Sequence, residues 1–352
     1  MGRAFKLLFQ ASLTRPNSRT TSDHIINNDI EIIDMATHTL PMPNGWFMAA
    51  FSADVPKGTI KAVRILGREV VVFRGESGKV GVLDAYCAHL GAHLGFGGCV
   101  EKDTVRCPFH GWRWDAAGTC VEIPYSERIP PGAKTKSYLV DEVNGQIYIW
   151  HHAEGKEPFY NIPKLEQYGD PDWTSEWVRY DWTLNTHPQE IMENAIDWPH
   201  FMHVHKMDTP SNAKSIFDGT MFHWIIDAGF SQNEYGESEA LQLHGENHGL
   251  GFNLTRYNGA QQTVSIGSIT PIDSKSINFI NSVIGKKNGR SDDEVQSLLR
   301  AQMEEQAKVV LQDFPIWENK RYNEKPILCA GDGPILQYRM WAQQFYSEPA
   351  TQ

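Results

Sequence analysis

From Ile60 to Tyr86 the chain runs as short stretches rich in Val, Ile and Phe, broken by polar turns: IKAVRIL, Gly67-Arg68, EVVVFR, GESGK and VGVLDAY. Runs of this length and composition predict antiparallel strands joined by tight turns. A further stretch of the same kind, NGQIYIWHH, closes at residue 152, and the polar, turn-rich AEGKEP follows it as a linker. Beyond the linker the pattern lengthens. Residues 186–206 predict a helix, residues 220–285 several longer strands such as QQTVSIGSITPI and SINFINSVIG, and residues 291–313 a second helix. That helix opens with Ser291 and Glu294 at capping-box spacing and stops before Pro315, which cannot continue it. Strands bracketed by helices predict an α+β chain, with helices packed over a curved sheet. The expected division is a small antiparallel β domain at 45–152, a larger domain at 153–352, and an N-terminal arm at 1–44 lying on the larger domain.

Length and composition narrow the function classes. A chain of 352 residues is comfortable for two domains, and 41% hydrophobic with 21% charged residues is ordinary for a globular protein. A net charge of -11 argues against nucleic acid as a partner, because phosphate binding needs a concentrated basic surface. No window reaches the ~18 consecutive apolar residues of a spanning helix, so no transmembrane segment is expected and a cytoplasmic location is. Residues 1–22 hold Arg3, Lys6, Arg15 and Arg19 with no acid, a composition shared by transit segments, membrane-surface segments and plain basic arms. Lys6 stands where a myristoylation pattern wants Ser or Thr.

The five cysteines are Cys87, Cys99, Cys107, Cys120 and Cys329, an odd number better suited to metal or free-thiol roles than to a disulfide framework. Cys87-x-His89 and Cys107-x-x-His110 flank a 17-residue spacer, and glycines in both loops allow tight bending around something compact. A structural zinc accepts two thiolates and two imidazoles. Zinc sites, however, usually pair like with like on each loop, whereas each loop here offers one of each. A binuclear iron–sulfur cluster accounts for the mixture, with thiolates on one iron and neutral imidazoles on the other. Cys99 and Cys120 are expected to be buried thiols, and His93 a hydrogen-bonding loop residue.

The stretch CAHLGAHLGFGGCVEKDTVRCPFHGWRWD resembles the Rieske pattern. The resemblance implies a [2Fe-2S] cluster on Cys87, His89, Cys107 and His110. Respiratory members of that group carry an extra cysteine pair where this chain has Ala92 and Phe109, which implies a low-potential centre fed by a ferredoxin or a flavin/iron–sulfur reductase.

A cluster moves electrons but transforms nothing, so the chemistry must lie beyond it. HPQEIMENAIDWPHFMHVH, residues 187–205, holds four histidines and three acids. Asp197 and His200 share a helix face, but His205 would fall about 140° from His200 on a straight helix, so only a distorted one aims both at one ion. Pro199 makes distortion reasonable. Two histidines need one carboxylate to complete a facial triad. Asp313, beside the apolar stripe of the last predicted helix, is either that ligand or a solvated acid at a frayed helix end; His203 is a rival ligand.

Asp197-x-x-His200-x-x-x-x-His205, followed by Asp313, resembles the catalytic domain of Rieske non-haem iron oxygenases, a helix-grip fold. The likeness spans Gly45 to Tyr346 and is nearest to 3-ketosteroid 9-alpha-hydroxylase oxygenase components and cholesterol 7-desaturases. It rests on GTCVEIPYSERIP, NGQIYIWHHAEGKEP, WENKRY and GDGPILQYRMWAQQFY as well. It implies mononuclear Fe(II) on His200, His205 and Asp313, O2 as co-substrate, and a hydrophobic, steroid-like alicyclic substrate that is hydroxylated or desaturated. It also implies a homotrimer, with Asp197 bridging an iron histidine of one subunit to a cluster histidine, His110, of the next. No hydrophobic N-terminal anchor like that of the membrane-bound sterol desaturases is expected, a departure that weakens cholesterol in a bilayer as the substrate. GFGG at Gly95–Gly98 opens no helix, so NAD(P)H is expected only through a partner reductase. An aromatic O-demethylase would use the same metals, and a pure electron carrier would need only the first.

Overall fold

A computed structural model describes residues 40–206, 211–232, 238–259 and 261–347. The expected arm at 1–44 lies outside these residues except for its last few. There Asn44 is buried, donating its backbone N–H to the Phe345 carbonyl at 2.6 Å and its side-chain amide to Ser347 Oγ at 3.1 Å.

The N-terminal half is built from three small antiparallel sheets. One joins β1 (Gly45–Phe51), β10 (Gln146–His151) and β9 (Val140–Val143). A second joins β2 (Thr59–Ile65), β3 (Arg68–Arg74) and β4 (Val80–Asp84), the strands expected from the apolar runs. The third is a row of short strands, β5 (Cys99–Glu101), β6 (Thr104–Arg106), β7 (Arg113–Trp114) and β8 (Cys120–Glu122), around the second Cys-His loop. Cys99 corrects an expectation. It is exposed, because it opens an outer strand of this sheet with its side chain outward, whereas Cys120 is buried as expected.

The C-terminal half is one seven-stranded antiparallel sheet. Its strands are β11 (Val178–Leu184), β12 (Ser211–Asp218), β13 (Met221–Gln232), β14 (Ser238–His248), β15 (Phe252–Asn258), β16 (Thr263–Pro271) and β17 (Ile277–Gly285), in the order β11-β17-β16-β15-β14-β13-β12. Almost all of β16 is buried, because both its faces are covered. Its odd-numbered residues from Thr263 to Ile269 face a cavity. Its even-numbered ones turn toward the N-terminal half, where Ser268 Oγ meets Gln146 Oε1 at 3.3 Å and Thr270 Oγ1 donates to the Met48 carbonyl at 3.0 Å. Gln146 also donates to Ser282 Oγ at 3.1 Å and accepts from Tyr148, all four residues being sealed from solvent.

Helix α3 (Asp292–Val310) begins with the expected capping box, Ser291 N–H donating to Glu294 Oε2 at 2.8 Å. Val295, Leu299 and Met303, at helical spacing, are buried against Val178 and Val283 of the sheet. Each such side chain contributes roughly 1.5–3 kcal/mol. This helix ends three residues before Asp313 and is not the last one: α4 (Phe314–Asn319) and α5 (Ile335–Ala342) follow. Among the described residues no helix is long and apolar enough to cross a membrane.

Residues 186–206 do not form one helix. His187 caps α1 (Pro188–Glu193), accepting from Gln189 N–H; a 3-10 turn covers Asn194–Ile196, and α2 (Trp198–His203) starts after a break at Asp197, whose ψ is 77°. Pro199 has no N–H to return to the carbonyl four residues back, so a continuous helix cannot run through it.

Candidate metal centres and active-site cavity

The two Cys-His loops fold alike. In each, the cysteine N–H donates to the carbonyl five residues on, Cys87 to Ala92 at 2.9 Å and Cys107 to Trp112 at 2.8 Å. In each, a glycine N–H four residues on returns to the cysteine carbonyl, from Gly91 at 2.9 Å and Gly111 at 3.1 Å. Both glycines sit at positive φ, 75° and 73°, where a side chain would be strained. This shared turn buries Cys87 and Cys107 beside one another and sets the rings of His89 and His110 4.7 Å apart. Burial pushes the Cys87 thiol up to about 11, and the adjoining Cys107 thiol reinforces it. His110 Nδ1 is buried without a hydrogen-bond partner, while the His89 ring stacks on Trp112 at 4.4 Å. Two adjoining buried thiols and an orphaned imidazole nitrogen are what a cluster bound from both loops requires. His93 lies outside the group, its Nδ1 accepting from Gly95 N–H at 3.0 Å.

In the C-terminal half, one ligating atom each from His200, His205 and Asp313 lies within 4.8 Å of the others. The expected 140° divergence does not arise, because α2 stops at His203 and residues 204–205 form a turn that carries His205 back. His203 points elsewhere and is exposed. Both inward histidines are oriented from behind. His200 Nδ1 meets the Asp197 backbone carbonyl, and His205 Nδ1 lies 3.2 Å from Gln312 Oε1. Each therefore turns Nε2 to the centre, where His205 Nε2 is 3.4 Å from Asp313 Oδ2. Burial raises the Asp313 carboxyl, against the pull of His205 and His200. A buried carboxylate facing two imidazole nitrogens is a donor set that fits a divalent iron with room for further ligands.

A cavity of about 320 Å³ adjoins this group. It lies between α1, α3 and α4 and one face of the sheet, touching Asp313 and Asn194 and walled by Ile191, Phe201, Leu243 and Phe279.

The Rieske [2Fe-2S] domain family matches residues 45–138, and the family described as the 3-ketosteroid 9alpha-hydroxylase C-terminal domain matches residues 149–346. A 3-ketosteroid-9-alpha-monooxygenase oxygenase component from Rhodococcus rhodochrous is 34% identical, over 91% of this chain and 87% of its own length. The chain belongs to the 3-ketosteroid 9-alpha-hydroxylase family of Rieske oxygenases. A cholesterol 7-desaturase from Ciona intestinalis is also 34% identical, over 87% of this chain and 69% of its own. The crystal structure of dicamba monooxygenase bound to dicamba shares the fold, with a TM-score of 0.69 at 17% identity over 86% of this chain and 97% of that one.

As a Rieske monooxygenase and an oxygenase component, the protein draws its electrons from a partner reductase or ferredoxin. Two residues beside the group of His200, His205 and Asp313 escaped the sequence reading. Asn194 Nδ2 lies 3.2 Å from His200 Nε2 and donates to Asp313 Oδ2 at 3.4 Å. Its one signal was spacing, since it falls three residues after Ile191 and so shares that residue's side of α1. Gln312 gave none. Asp197 is half-buried beside His200; burial raises its carboxyl, which accepts no hydrogen bond among the described residues.

Proposed function

We propose that this oxygenase hydroxylates or desaturates a steroid-like alicyclic compound at Fe(II) held by His200, His205 and Asp313. Electrons would come from a cluster on Cys87, His89, Cys107 and His110, and NAD(P)H would be consumed only in the partner reductase. When loaded, the two centres supply electron storage and dioxygen binding. The chain's own residues do the rest. Gln312 and the Asp197 carbonyl fix the ring orientations of the two histidines, and Asn194 holds the Asp313 carboxylate. Ile191, Phe201, Leu243 and Phe279 exclude water around the carbon to be attacked.

The cavity is the observation that carries this reading. Its size sits at the lower end of the ~300–1,000 Å³ of small-molecule sites, and among its described lining residues there is no Lys or Arg. A neutral alicyclic skeleton fits such walls, whereas a methoxybenzoate would bring a carboxylate with no cation to meet it. The names of the relatives, a 3-ketosteroid monooxygenase and a cholesterol desaturase, support the same class.

The proposal extends to assembly. In a homotrimer the Asp197 carboxylate would link His200 to His110 of the next subunit, consistent with its accepting no hydrogen bond among the described residues. The domain limits 45–152 and 153–352, with an arm before them, belong to the same proposal. The deciding experiment measures oxygen uptake with a surrogate reductase across steroids and methoxybenzoates. Uptake matched by oxygenated or desaturated steroid is expected; uptake matched only by demethylated benzoate would overturn the reading.

A further inference from the structure

The sheet wall of the cavity is polar in one place. Strand register sets Asn247, Asn253, Gly267 and Asn281 side by side across β14 to β17. The adjoining row holds Gly245, Thr255, Ser265 and Val283. The pairing of Asn247 with Asn253 follows from the tight turn at residues 249–251, from which the two are equally distant.

Within this belt every amide oxygen is occupied. Thr255 Oγ1 donates to Asn253 Oδ1 at 3.2 Å, Asn253 Nδ2 to Asn247 Oδ1 at 2.5 Å, and Ser265 Oγ to Asn281 Oδ1 at 2.9 Å. What remains is N–H. Asn247 is wholly buried and its Nδ2 has no acceptor among the described residues. Trp224, paired across the sheet with Gly245, also lines the cavity, and its Nε1 is likewise buried and unmet. The indole lies where a Cβ on residue 245 would stand, so glycine is what admits it. Buried donors are nearly always satisfied in native proteins, and here both residues that carry an unmet donor line a cavity with no Lys or Arg among its described lining residues. Two such donors suit a neutral acceptor.

We propose that Asn247 and Trp224 are specificity-determining residues that donate hydrogen bonds to a ketone or hydroxyl oxygen already present on the substrate. The assignment rests on the reading of this cavity as a site for a steroid-like compound. It makes recognition depend on an oxygen the substrate brings, separately from the one the reaction introduces.

Equilibrium dialysis of the anaerobic holo-oxygenase, without reductase, tests it apart from turnover. The ligands are a 3,17-diketosteroid, its two analogues lacking one ketone, and the parent hydrocarbon. Wild type should bind one of the monoketones about tenfold or more weakly than the diketone. Asn247→Leu should weaken diketone binding by a similar factor while leaving the hydrocarbon unaffected, and Trp224→Phe, which keeps an aromatic ring but is smaller and removes the N–H, should act in the same direction when judged against the hydrocarbon. Wild type indifferent to removal of either oxygen, or an Asn247→Leu protein weakened equally for diketone and hydrocarbon, would overturn the assignment and leave the steroid reading standing. Wild type that binds none of the four would overturn both. The ligand series on wild type decides the matter even if a variant fails to fold.

Discussion

His205 Nδ1 lies 3.2 Å from Gln312 Oε1, and Gln312 immediately precedes Asp313, the carboxylate that His205 faces through Nε2. One short segment thus supplies an anion and orients the imidazole opposite it. With Nδ1–H donated to the amide oxygen, the Nε2 lone pair is left to the centre. Gln312→Leu is expected to lower mononuclear iron affinity about tenfold, the low end of the usual range for outer partners because Gln312 is exposed and water can substitute. Iron retained against a graded chelator measures it, with cluster absorbance unchanged.

Replacing His110 by Ala should remove the cluster signature in visible absorption and electron paramagnetic resonance while ferrous iron remains bound in the other half. The two centres share no ligand, and His110 Nδ1 is buried with no hydrogen-bond partner among the described residues. Loss of both metals together would show that the halves fold as one.

Asp197→Asn keeps the backbone carbonyl that orients His200 and removes only the carboxylate charge. Both metals should therefore stay bound, while substrate-triggered oxidation of the reduced cluster, followed by stopped flow, slows roughly 10–100-fold. An unchanged rate would remove Asp197 from the proposed path.

The His151 imidazole, at the end of β10, is pushed down to about 4 by burial, with Arg68, Lys136 and His152 adding to the effect. Its unfolded value is about 6.5. The unfolded chain therefore takes up this proton first on acidification, and stability falls as pH drops from about 6.5 to about 4, then levels for this group. The loss is of the order of 2–3 kcal/mol. Urea midpoints measured across that window should slope in wild type and flatten in His151→Gln.

Gln146→Leu would leave the hydroxyls of Ser268, Ser282 and Tyr148 without their shared buried partner. A loss of about 1–3 kcal/mol is expected in chemical denaturation, with both metal sites intact in the folded fraction.

The Cys-His loops were legible from sequence because their geometry is local: each repeats one turn, and ligand type and spacing determine what it encloses. The strands of the N-terminal half were legible for a similar reason, as apolar runs separated by polar turns. The histidine pair was legible as composition but not as geometry. A uniform helix sends His200 and His205 apart, and the break at Asp197 and the stop at His203 take effect only in the packed fold. Asp313 could be read as ligand or solvent-facing acid until the chain after α3 placed it, buried, beside His205. The asparagine belt needed strand register, since alternation alone says that half of each strand faces inward without saying which neighbours meet.

Gln146 anchors β10 to β16 and β17 through groups no solvent reaches, so the cluster-bearing tip cannot swing on its own chain the way a tethered carrier arm does. Electron delivery must then be timed by the electron-donating partner that arrives at that tip. A disulfide or crosslink stapling the two halves of one chain together should accordingly leave turnover untouched.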